Sequence, residues 1–165
     1  MKLPSSQFLR LVADLPTHLS SPALESMVLA WDHIAERYLR RVESNRTFAG
    51  RVRSIRLLAV HDAVLSIVDP GFGYIFKPDA VTRSTQAALA ATAQAAHDIL
   101  ADAFDAPEDR ADLGDLLAES LSLIGNAAER ATGARIGAAS AATYLETFSP
   151  LLAAAIPTQR QTVAA

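Results

Sequence analysis

The stretch Arg56-Leu57-Leu58-Ala59-Val60-His61-Asp62-Ala63-Val64-Leu65-Ser66-Ile67-Val68-Asp69-Pro70 constrains the fold more than any other part of the chain. Wound at about 100° per residue it keeps almost no polar face after Leu57, and a helix apolar on all sides belongs inside a bundle. Other helices must cover it. The expected fold is all-α, a helical bundle of about five main helices around a buried central helix over residues 47–68. An N-terminal arm (1–20) precedes the bundle domain (21–148), and a C-terminal tail (149–165) follows it.

The length, 165 residues, suits one domain with a real core. Half the residues are apolar but only 6% are aromatic, so alanine carries much of the apolar content. Alanine fills helices without loss of side-chain entropy, which favours closely packed helices over a β-sandwich. With no cysteine, disulfides, thiolate nucleophiles and zinc–thiolate sites are excluded. No apolar run reaches the roughly 18 to 20 residues of a membrane span, and Arg10 interrupts the amino end before a signal-peptide core forms. A soluble, cytoplasmic chain with no membrane partner is expected. The formal net charge of -3 argues against nucleic acid.

That net charge hides an asymmetry. Arg37, Arg40, Arg41, Arg46, Arg51, Arg53 and Arg56 crowd one region, whereas Asp98, Asp102, Asp105, Glu108, Asp109, Asp112, Asp115 and Glu119 make a later one acidic. Two solvated faces that attract each other across the fold are expected; the alternative is a docking or nucleic-acid patch.

Helix boundaries follow from local chemistry. Ser21 can cap the first long helix with Pro22 at its first position. Its apolar stripe runs Leu24, Met27, Val28, Trp31, Ile34, Ala35, Tyr38, Leu39 and Val42, and Glu36 is spaced to pair with Arg40. The buried helix ends at Asp69-Pro70-Gly71. In the following segment, 71–78, the aromatics Phe72, Tyr74 and Phe76 are expected to plug the end of the bundle. Thr82 or Ser84 can cap the third helix, which runs to about Phe104. A fourth starts after Asp105-Ala106-Pro107, with Glu108, Asp109 and Asp112 favoured near the positive end of its dipole. Its inner face carries Leu113, Leu116, Leu117, Ser120 and Ile124. Gly125-Asn126 is expected to break or bend this helix. The last helix begins at 127 or 131, sets Gly133, Gly137 and Ala141 on one side for close backbone contact, and stops at Ser149-Pro150.

Three of the four histidines adjoin an aspartate: Asp32-His33, His61-Asp62 and His97-Asp98. His33 followed by His61-Asp62 resembles the ligand order of the HD-type metal-dependent phosphohydrolases, in which a metal activates a hydrolytic water. Neighbours on a helix point about 100° apart, so His61 and Asp62 can share a metal only at a pocket edge. The family's glycine and lysine turn is replaced here by Ala63-Val64-Leu65. The competing expectation makes His61 and Asp62 core polar groups tied to other helices, with Ser66 in reach of Asp62, His97-Asp98 on a solvated face and His18 in a loop. No nucleophile elbow, P-loop or dinucleotide fingerprint occurs.

The segment Val60-His61-Asp62-Ala63-Val64, then Ile67, Asp69-Pro70 and Phe72, resembles the Met-His-Asp-Ala-Val-Asn-Ala-Ile-Asp-Pro-x-Tyr stretch of bacterial vanadium-dependent haloperoxidases, relatives of the bacterial acid phosphatases. The likeness continues through Ser84-Thr85-Gln86-Ala87-Ala88, Ala95-Ala96-His97-Asp98-Ile99-Leu100, Ser120-Leu121 with Ile124, and Gly133, Ile136-Gly137 and Ala141-Ala142. Val28 and Trp31 are similar to that family's opening helix. About residues 25–147 are covered.

The resemblance implies a helical bundle equivalent to the family's amino half. Its vanadate or phosphate pocket uses a lysine, an arginine-proline pair, Ser-Gly-His and a late arginine with histidine, and those belong to the carboxyl half. Lys77 and Arg83 mimic the first spacing, but Ser84 replaces the proline, Ser-Gly-His is missing, and no histidine follows His97. No catalytic, cofactor-binding or metal residue is carried over. The expected function is a non-catalytic structural or partner-binding half, or the remnant of a longer enzyme. Its partner would be a second copy or a separately encoded catalytic half. The alternative is the metal-dependent phosphohydrolase using His33, His61 and Asp62.

Overall fold

The computed structural model describes residues 21–69, 73–78 and 82–154. The proposed N-terminal arm, Phe72, His18 and residues 155–165 of the proposed tail lie outside them. Every regular element described is α-helical: α1 (Pro22–Arg40), α2 (Arg46–Val68), α3 (Thr85–Ala103), α4 (Pro107–Ser122) and α5 (Ala127–Ala153).

The helix starts follow the capping chemistry of the sequence. Ser21 accepts the Leu24 N–H at 3.1 Å with Pro22 in the first turn, Asn45 accepts Phe48 N–H at 3.1 Å, and Asn126 accepts from both Ala128 and Glu129 at 3.1 Å. Of the two candidates for α3, Ser84 is the cap, accepting Ala87 N–H at 3.3 Å. Thr82 instead donates to Glu129. Each cap satisfies a donor that the helix leaves orphaned.

From Ile55 onward helix α2 is enclosed around its circumference, with only Leu58 and Leu65 half-buried, and Arg56, His61, Asp62 and Ser66 are buried along with its apolar residues. Its first turns are open, Arg46 and Thr47 being exposed. It shares the centre with α3, however, which is in contact with all four other helices. The reason is side-chain size. Seven of the first twelve residues of α3 are alanine, so neighbouring backbones approach closely from several directions. The closest approach is to α5, where a Cβ on Gly133 would sit 2.0 Å from the Ala87 carbonyl oxygen and one on Gly137 2.4 Å from that of Ala91. The spacing of small residues thus sets the α3/α5 interface.

Three boundary and contact expectations need correction. Helix α5 passes through Ser149-Pro150 and reaches Ala153, so the bundle extends beyond residue 148. Proline costs one backbone bond inside a helix, but the Ala154 N–H still reaches the Pro150 carbonyl at 3.1 Å and Leu152 is buried. Glu36 does not bond its carboxylate to Arg40. Two bonds of 2.8 and 3.0 Å tie it to Arg53 on α2, and Arg40 donates to the Glu36 carbonyl. The aromatic loop plugs the bundle only in part: Phe76 is buried while Tyr74 is 61% exposed.

The basic and acidic stretches do meet. Arg41 grips Asp109 through two bonds of 2.6 and 2.8 Å, and Asp112 accepts from Arg37 and from the Tyr38 hydroxyl. Burial, together with the Asp112 carboxylate, pushes the Tyr38 phenol up to about 12.

Candidate functional site

The His61-Asp62 pair lies in the buried half of α2, and Asp62 has no solvent exposure. A carboxylate there requires donors on both oxygens. The backbone supplies three of them: Tyr74 N–H reaches Oδ1 at 2.8 Å, and the N–H groups of Ile75 and Phe76 reach Oδ2 at 2.9 and 3.1 Å. Three successive amides aimed at one anion form a cradle of the kind that holds anions elsewhere in proteins. A further donor is the Tyr144 hydroxyl of α5, 2.8 Å from Oδ2. Gly73 makes the turn possible, because a Cβ there would fall 2.5 Å from the Phe76 carbonyl oxygen.

Electrostatics follow from this geometry. Burial is the largest single influence on Asp62 and pushes its carboxyl up, but His61 and the amides of Ile75, Tyr74 and Phe76 together hold it well below the usual carboxylate range. Burial and the adjoining Asp62 push the Tyr144 phenol up. Asp62 is therefore a fixed anion that ties the 73–78 loop and α5 to α2. Its oxygens are already engaged, and a metal would have to displace those donors.

The other sequence candidates lie apart. His33 is exposed on α1, whereas His61 is buried, with its ring tilted 33° against that of Tyr74 at 5.3 Å and Nδ1 3.6 Å from Asp62. No group of three or more His, Asp or Glu side chains among the described residues is arranged to hold a metal. Ser66 donates to the Ala63 carbonyl at 2.7 Å instead of to Asp62, since a buried hydroxyl one turn along a helix finds its own backbone first. His97 is half-buried, its edge against Trp31 and its Nδ1 2.7 Å from Asp98, so that pair is not on an open face. Lys77 and Arg83 are exposed between α2 and α3.

Sequence reasoning missed Tyr144 and the three amides. Tyr144 lies seven residues after Gly137, on the same side of α5, and an aspartate in an all-apolar helix needs such a partner. The amides carried no side-chain signal. Also unforeseen is the ion pair of Arg56, 3% exposed, with Asp32 of α1 at 2.5 Å. Comparison with protein-family models, with curated proteins and with solved structures gives no match.

Proposed function

We propose that this chain is a non-catalytic helical module, similar to the amino half of a vanadium haloperoxidase-like protein, that serves as a structural or partner-binding half. The observation that carries this reading is the state of Asp62. Its carboxylate is bonded by groups that hold the fold together, three loop amides and a tyrosine of α5. A residue so engaged acts as a tie between elements. Lys77 and Arg83, the only mimic of an oxyanion-binding spacing, point to no such pocket because both are exposed, and a tetrahedral anion needs converging cationic donors in an enclosed site.

The test is direct. The purified chain is titrated with vanadate and with Mn²⁺ or Fe²⁺ by calorimetry, and assayed for aryl phosphate hydrolysis and for bromide oxidation by peroxide. The expected outcome is no stoichiometric binding and no turnover above buffer. Vanadate uptake or bromide oxidation by the isolated chain defeats the proposal. Stoichiometric metal binding that His61→Ala abolishes would establish the phosphohydrolase alternative in its place.

A further inference from the structure

A cleft of about 660 Å³ opens between the end of α1, the first turns of α2 and the end of α5. Its floor includes the apolar side chains of Leu58, Phe148 and Leu151, the last 47% exposed. Its rim is basic. Of the arginines there, Arg53 is matched by Glu36, whereas Arg40 and Arg51 donate to the backbone carbonyls of Glu36 and Leu151. Arg46 stands exposed in the first turn of α2. None of Arg40, Arg46 and Arg51 forms an ion pair with a described carboxylate, and Glu43 alone remains against them among the lining residues. An apolar floor under an unbalanced cationic rim selects an acidic segment that also offers an apolar side chain.

The chain itself carries such a segment. The outer face of α4 exposes Glu108, Asp115 and Glu119, none in an ion pair with a described residue, and leads to Leu123. Leu123 is 78% exposed, more than any other large hydrophobic residue described. Within one molecule two other acids of the same helix already bind arginines of α1, the buried Asp109 to Arg41 and the exposed Asp112, beside Glu119 on the helix surface, to Arg37.

We propose that the Arg40/Arg46/Arg51 cleft docks the outer acidic face of α4, that is Asp115, Glu119 and the adjoining Leu123, from a second copy of this chain. The two surfaces are different patches of one molecule, so the contact is head-to-tail. Each added copy leaves one cleft and one acidic face unused at its ends, and the assembly grows with concentration. The inference rests on the partner-binding reading above and names the partner.

The test uses sedimentation and light scattering of the full chain. In low salt the average mass rises above the 17.6 kDa monomer as concentration increases. It falls back at about 0.5 M salt, where charges are screened over a few ångströms. Arg46→Glu in the cleft and Glu119→Lys on α4 each weaken association about tenfold or more. Both reversals place a charge that the helix dipole favours, glutamate at the start of α2 and lysine near the end of α4, so both variants fold. An equimolar mixture of the two associates more strongly than either variant alone, because one intact cleft meets one intact acidic face. A wild-type chain that stays monomeric, association indifferent to salt or to both variants, or a mixture that associates no more strongly than either variant alone overturns the inference. None of these results touches the non-catalytic reading, which fails only on vanadate, metal or turnover.

Discussion

A carboxylate with no contact to water is retained as an anion only where donors surround it, and at Asp62 the loop amides and the Tyr144 hydroxyl come from separate parts of the fold. Asp62→Ala leaves three amides and one hydroxyl to find other partners and is expected to cost about 2–4 kcal/mol in urea unfolding, while Tyr144→Phe, which removes one donor, costs about 1–2. An Asp62→Ala variant within about 0.5 kcal/mol of wild type would refute the tie, because that is the range of surface substitutions. The pH dependence has a definite sign. The folded-state pKa of Asp62 is depressed, so its contribution is fully present above the unfolded value of about 3.9 and is lost as pH falls below it. The stability difference between wild type and Asp62→Ala should therefore stay level from neutral pH to about pH 5 and shrink below about pH 4. The sequence exposed half of this site. An aspartate inside an apolar helix demands partners, which identifies Asp62, but backbone amides have the same chemistry at every residue and no letter marks Tyr74, Ile75 and Phe76 as the ones that converge.

Among the helices, the α3/α5 contact is the one most fully written in residue spacing. Gly133 and Gly137 lie directly over the Ala87 and Ala91 carbonyl groups, and a rigid backbone cannot give way as a flexible side chain can. Gly133→Ala and Gly137→Ala are each expected to destabilise by about 1–3 kcal/mol or more through overpacking. A methyl group added at Gly114 in α4 would meet nothing within 4 Å, and Gly114→Ala should stabilise by about 0.5–1 kcal/mol from helix propensity alone. Thermal melts of the three variants check the contrast, and equal shifts of the same sign would contradict it. Caps, the all-round burial of α2 from Ile55 onward and the small-residue stripe were legible because each depends on a few neighbours in sequence. The passage of α5 through Pro150 was not, since the burial of Leu152 that favours continuing the helix depends on residues far along the chain.

Across the whole molecule the helices are held by unequal means. Helices α3 and α5 bury alanine and glycine faces against each other, whereas in α4 only Asp109 and Leu113 are buried. Leu116 and Leu117 pack against the core while staying partly open to solvent, and the remaining attachment is polar: the ion pairs Arg41–Asp109 and Arg37–Asp112, and the Tyr38 hydroxyl on Asp112. Ion pairs that reach solvent contribute little and are weakened by salt, while buried apolar contact is not. Helix α4 is thus the element expected to open before the bundle unfolds. In hydrogen exchange at constant pH, amides of residues 111–122 should exchange faster than those of 89–103, and Arg41→Ala should speed the first group with little effect on the second. Added salt should act in the same direction as the substitution. Uniform protection across both segments would mean that α4 opens only with the core, and that the Leu113 contact, not the arginine–aspartate pairs, fixes it in place.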